Sequence, residues 1–133
     1  MTTVFADSYY YLAVINDRDQ GHAKAVQFAK TFRGQTLTSE WILTELGDAL
    51  TEPQRRSAFF AVLQRLQNNP RVTIVEATHE TFIRGVDLFR NRPDKHWSLT
   101  DCISFVVMEE HGVCEVLTAD HHFEQARFVA LLR

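Results

Sequence analysis

The chain has 133 residues, the size of one domain, and 45% of them are hydrophobic. A domain of this length buries close to the ~68–70% of its unfolded surface typical of about 150 residues, so no staple is needed to hold a core. Fourteen Lys and Arg against seventeen Asp and Glu give a formal charge of −3. That balance excludes binding of nucleic acid through bulk positive charge and leaves a local basic patch or bound cations for any such partner.

Residues 3–6 read as a buried strand, ended by Asp7-Ser8, a pair able to cap the segment that follows. Residues 9–14 and 21–32 read as helices. The second carries Ala25, Phe28, Ala29 and Phe32 at helical spacing and stops at Gly34. Residues 36–38 form a short strand candidate, and 39–50 a helix with Trp41, Ile42, Leu46 and Ala49 on one face. Pro53 opens a helix through Phe59, Phe60, Leu63 and Leu66 that Asn68-Asn69-Pro70 ends.

Val72-Thr73-Ile74-Val75 is the clearest strand by β-branched content. A helix is expected over 78–90, with Phe82, Val86 and Phe89 inward, then a loop over 91–94. A nearly all-apolar helix, 99–110, ends at Gly112 and leads into strand 113–117, and 128–131 is a last strand candidate.

The longest strongly apolar run, Phe105 to Met108 with Ile103 beside it, is far too short to span a bilayer. Met1 to Ala6 has neither a basic start nor an apolar leader, and Cys102 and Cys114 fall in apolar surroundings. A reduced, cytoplasmic chain is expected.

No repeat, low-complexity tract or linker divides the sequence, so residues 1–133 are read as a single domain. Strands separated by helices imply parallel pairing through right-handed crossovers. The expected fold class is therefore α/β, a three-layer α/β/α domain with a central parallel sheet of four to five strands. Its site would lie beyond the carboxyl ends of the strands.

Four acids fall where that architecture could gather them: Asp7 after the first strand, Glu45 in the helix after the second, Asp101 in the first turn of the apolar helix, and Asp120 after the fourth strand. Two ionised carboxylates about 4 Å apart repel by roughly 4 kcal/mol at an effective dielectric near 20. Such a cluster must hold protons or a divalent cation. Oxygen donors without paired Cys or His favour Mg²⁺ or Mn²⁺ over zinc. Each acid also has a plainer reading. Ser98-Leu99-Thr100-Asp101 has capping-box form, Asp7 could be an N-cap, Asp120 a turn residue, and Glu45 a solvated helix position. Only their joint placement argues for a site.

Ser98-x-x-Asp101-Cys102-x-Ser104-Phe105-x-x-Met108, followed by Leu117-Thr118-x-Asp120-x-His122-Phe123-x-Gln125-Ala126, resembles the C-terminal half of PIN-domain ribonucleases, especially VapC-type toxins of toxin–antitoxin pairs. Val4-Phe5-Ala6-Asp7-Ser8 and Thr38-Ser39-Glu40-Trp41-Ile42-Leu43-Thr44-Glu45-Leu46 resemble that family's first and second acidic motifs. The resemblance covers nearly the whole chain.

It implies a PIN-like fold and a metal-dependent endoribonuclease that hydrolyses RNA phosphodiesters without a covalent intermediate, leaving a 5′-phosphate and a 3′-hydroxyl. Asp7 and Asp101 would be the main metal ligands, with Glu45 and Asp120 completing the catalytic acids. Ser8 and Thr118 would orient a carboxylate or water. A cognate antitoxin, a homodimer and Mg²⁺ or Mn²⁺ are implied as partners and cofactor. One departure is Arg127, where relatives commonly have Gly; a positive φ there would strain the turn.

Arg84, Arg90, Arg92 and Lys95, with His96, are candidates to flank an RNA path, or else a solvated helix face and its loop. His121 and His122 adjoin Asp120, His122 being read as a structural hydrogen-bonding residue. Tyr9, Tyr10 and Tyr11 could stack on bases or enter the core. Trp41, Phe59 and Phe60 read as core or partner contacts, and the helices from Ser39 to Leu66 as a candidate antitoxin groove. Two other readings remain open at this level: a PIN-like nuclease of RNA processing or decay without an antitoxin, and a catalytically silent RNA- or protein-binding module.

Overall fold

Short β-branched segments alternate with longer helical ones, and the computed structural model, which describes residues 2–133, resolves this into a parallel sheet between helical layers. In chain order the elements are β1 (Thr3–Ala6), α1 (Ser8–Ile15), α2 (His22–Thr31), β2 (Gln35–Ser39), α3 (Glu40–Ala49) and α4 (Pro53–Asn68). They continue with β3 (Val72–Val75), α5 (His79–Asn91), α6 (Leu99–Glu110), β4 (Glu115–Leu117), α7 (His121–Gln125) and β5 (Val129–Ala130). All strands pair in parallel, in the order β3-β2-β1-β4-β5. This is a PIN-like three-layer α/β/α arrangement.

The chain winds outward from β1 through β2 to β3, then returns to lay β4 on the other side of β1. The reversal puts a switch point between β1 and β4, and such crevices at the carboxyl edge are where α/β sheets place their sites. Register fixes the neighbours there. Ala6 pairs with Leu117, so the next residues out, Asp7 and Thr118, emerge side by side.

The core is built around α6. Its residues Cys102 to Met108 are all buried, a helix enclosed on every side. Phe105 is its aromatic hub, with ring centroids 5.0 Å from Trp97, 5.1 Å from Phe123 and 5.6 Å from Phe128. These contacts, with the Trp97 indole N–H donating to Gln125 Oε1 at 3.0 Å, tie α6 and the segment before it to α7. The position of two of the four acids follows.

Several elements differ from the sequence reading. Helix α5 is turned about its axis: Thr81 and Gly85 are buried, while Phe82 and Phe89 are 38% and 49% exposed. Gly85 sets this orientation, because a Cβ there would stand 2.4 Å from Ile103 Cγ1, so only glycine allows α5 and α6 this approach. Helix α4 buries no residue fully, and Phe60 on it is 62% exposed. Ala49 of α3 is exposed. The segment after Asp120 is a short helix, α7, with Asp120 as its N-cap. No helix among the described residues is long and apolar enough to cross a membrane.

Candidate active site

The four acids come together at the carboxyl edge. Asp7 follows β1 as the N-cap residue of α1 and is 7% exposed. Glu45 projects from the second turn of α3. Asp101 is the third residue of α6, and Asp120 precedes α7. The Asp7 carboxyl is raised from 3.8 to about 7, first by burial, with the charges of Glu45 and Asp101 adding to the rise and hydrogen bonds from Thr118 and the Ser8 backbone opposing it. Glu45 is also raised, first by burial, with a contrary effect from Ser8 and additions from Asp101, Asp120 and Asp48. All four carboxylates therefore act within one field.

Each acid is held by a non-acidic partner on one of its oxygens. Thr118 Oγ1 donates to Asp7 Oδ2 at 2.8 Å, and the Ser8 hydroxyl donates to Glu45 Oε1 at 2.5 Å. Asp101 forms a true capping box: its amide N–H donates to Ser98 Oγ at 3.0 Å, while its Oδ2 accepts the Ser98 N–H at 3.1 Å. That same Oδ2 lies 3.0 Å from His122 Nδ1. Asp120 Oδ1 accepts the His122 N–H at 2.9 Å, and the Asp120 N–H donates to Thr118 Oγ1 at 3.1 Å. One oxygen each on Asp7, Glu45, Asp101 and Asp120 has no side-chain partner among the described residues.

An array of acceptor oxygens on tethered carboxylates, one of them with a raised carboxyl, is chemically suited to a hard divalent cation. Imidazole lies beside these acids as well. Asp120, His121 and His122 present ligand-type atoms all within 4.8 Å of one another. The sequence reading placed His122 as a hydrogen-bonding residue but gave no sign of its contact with Asp101. A helix start after Asp120, with the ring two residues on, is the signal that could have shown it. Cys102, beside Asp101, is buried, and burial, with the Asp101 charge, pushes its thiol up to about 11, which disfavours the thiolate.

The basic candidates are spread out. Arg84 pairs with Glu110, which lies nine residues beyond Asp101 and so about 13 Å along α6. Arg90 pairs with Asp87 at 3.0 Å. Arg92 holds Asp94 through two nitrogens at 3.0 Å, and its guanidinium lies 5.0 Å from the Trp97 ring centroid. The Arg92 hydrogen bond holds the Asp94 carboxyl below its ordinary value, with a smaller contribution from Lys95. Tyr10 and Tyr11 pack into the aromatic wall of α1 and α2, with Tyr10 6.2 Å from Phe28. Together with Phe32 and Leu66 they line a cavity of about 310 Å³ between α1, α2 and α4, with Arg65 and Arg71 at its edge.

The PIN domain family profile matches residues 4–129. The chain belongs to the PIN domain family. Three solved structures share this PIN fold. VapC20 of Mycobacterium tuberculosis, described as a sarcin-ricin loop cleaving toxin, superposes with a TM-score of 0.86 at 21% identity, over 95% of this chain and 96% of that one. VapBC2 of Rickettsia felis, bound to a DNA fragment from their promoter, gives 0.67 at 11% identity, covering 97% and 96%. FitAcB of Neisseria gonorrhoeae gives 0.69 at 13% identity, covering 96% and 94%. No curated protein sequence matches the chain.

Proposed function

We propose that the chain acts as a single-domain, VapC-type endoribonuclease that hydrolyses RNA phosphodiesters with Mg²⁺ or Mn²⁺, as the toxin of a toxin–antitoxin pair in the cytoplasm. The observation that carries this reading is the convergence of Asp7, Glu45, Asp101 and Asp120 at the switch point, each tethered by one oxygen. Asp7 and Asp101 are the principal ligands in this reading, and Glu45 and Asp120 complete the pocket. When bound, the cation supplies Lewis acidity toward a phosphodiester oxygen and lowers the pKa of a coordinated water.

The protein groups have separate tasks. Asp7 must give up its proton before it can serve as a ligand, and Thr118 favours that loss by donating to the charged form. Ser8 holds Glu45 facing the other acids across α1 and α3. The loop of Arg92 and Lys95, latched beside α7 through Trp97 and Gln125, is the better-placed rim for an RNA backbone. Arg90 stands one step farther along α5, and Arg84 is remote.

The cavity beside Tyr10, Phe28 and Leu66 gives a partner protein an apolar seat, and Arg65 and Arg71 give it acidic preference. The exposed Phe82, Ile83 and Phe89 of α5 supply an apolar surface for a homodimer. The decisive experiment is RNA cleavage with Mn²⁺, with EDTA, and in D7N and D101N. Cleavage by the wild type alone, abolished by EDTA, supports the proposal; cleavage that persists through chelation and both substitutions rejects it. Folded wild type that binds RNA without cutting it points to the silent module.

A further inference from the structure

We infer that His122 is a positioning residue that sets the plane of the Asp101 carboxylate and thereby aims its free oxygen into the acidic pocket. The inference rests on the metal reading of that pocket. His122 touches two acids from two elements. Its backbone N–H holds Asp120 Oδ1 at 2.9 Å, and its ring Nδ1 meets Asp101 Oδ2 at 3.0 Å. Nδ1 is 3.5 Å from Asp120 Oδ1, so the shorter contact decides its partner.

In this contact Nδ1 donates and the carboxylate oxygen accepts. Asp101 Oδ2 thus receives two donors from different directions, the Ser98 amide and the imidazole. A carboxylate held by one donor still turns about a broad, two-fold terminal torsion. Two donors fix its plane, and Oδ1, with no protein partner among the described residues, takes a single direction. The His122 side chain is 21% exposed, whereas that of His121 is 61% exposed and lies 3.7 Å from Asp120 Oδ1. Of the neighbouring histidines, His122 alone is engaged with Asp101.

An asparagine amide nitrogen falls near the place of Nδ1, while a glutamine amide reaches toward that of Nε2. Mn²⁺ is titrated into wild type, H122A, H122N and H122Q, with free Mn²⁺ read by electron paramagnetic resonance and ring-nitrogen coupling read by pulsed methods. Melting in EDTA reports folding.

Wild type and H122N should bind Mn²⁺ within about threefold of each other, and H122A and H122Q about 10–100-fold more weakly. No directly coordinated nitrogen should appear in wild type. Equal binding by all four proteins overturns the role of His122 and leaves the metal site intact. Equal weakening of H122N and H122Q overturns it as well, even if H122A fails to fold. A strong nitrogen coupling lost in H122N makes the ring a ligand instead. Wild type that binds no Mn²⁺ removes the metal reading itself.

Discussion

The Thr118 hydroxyl donates to Asp7 Oδ2 at 2.8 Å, joining the residue after β4 to the residue after β1. The pairing of Ala6 with Leu117 makes this contact almost unavoidable. Thr118 also accepts the Asp120 N–H, so one side chain ties two acids together. T118V keeps the shape and removes the hydroxyl. Loss of these bonds should cost ~1–3 kcal/mol in chemical denaturation. RNA cleavage should fall about 10–100-fold through misaligned acids.

Asp7 should uncouple stability from activity. In D7N, cleavage should fall by at least about 100-fold for a directly ligating group. Asn still accepts from Thr118 but carries no charge. The metal-free variant should therefore melt several degrees higher than wild type near pH 8, as expected for a gain of ~1 kcal/mol or more. Differential scanning calorimetry in EDTA checks this. A lower melting temperature would mean that Asp7 is structurally stabilising as an anion.

The pH dependence follows from the same residue. Its folded pKa of about 7 exceeds the ordinary 3.8, so between these values the native chain holds more protons than the unfolded one. This group's contribution to stability is full below about pH 4, declines as pH rises, and is lost above about 7. Glu45 acts in the same direction. Mn²⁺ competes with those protons, so its affinity should rise with pH through about 7. Melting curves from about pH 5 to 8 should slope downward in EDTA and flatten or reverse in saturating Mn²⁺.

Much of this was legible in the residues because the local signals are strong. The strand at Val72–Val75 is β-branched throughout, and Ser98-x-x-Asp101 caps α6 beside the candidate site. Helix α5 faces otherwise than its apolar residues suggest, because counting them favours Phe82 and Phe89. A glycine adds nothing to such a count, yet Gly85 against Ile103 decides the facing. G85A should thus destabilise by ~1–3 kcal/mol, readable in urea melts, despite its better helix propensity. Helix α7 escaped because five residues with two histidines carry no measurable period.

Arg127 occupies the left-handed region, with φ 73, the conformation in which its side chain strains the turn. A side chain there costs energy that glycine avoids, offset in part by glycine's greater unfolded entropy. R127G should raise stability by ~0.5–1 kcal/mol, measured by denaturant unfolding, without changing Mn²⁺ affinity.

If Asp101 and Asp120 bind a cation as proposed, they also cap helices, and that pairing of duties bears on how an inactive descendant of an active protein would look. Both begin helices, so a lineage that abandoned catalysis would still be selected to retain them for folding. Glu45 caps nothing, and its only hydrogen-bond partner among the described residues is Ser8. Its loss, more than that of either capping acid, would mark a member of the lineage that has stopped cutting.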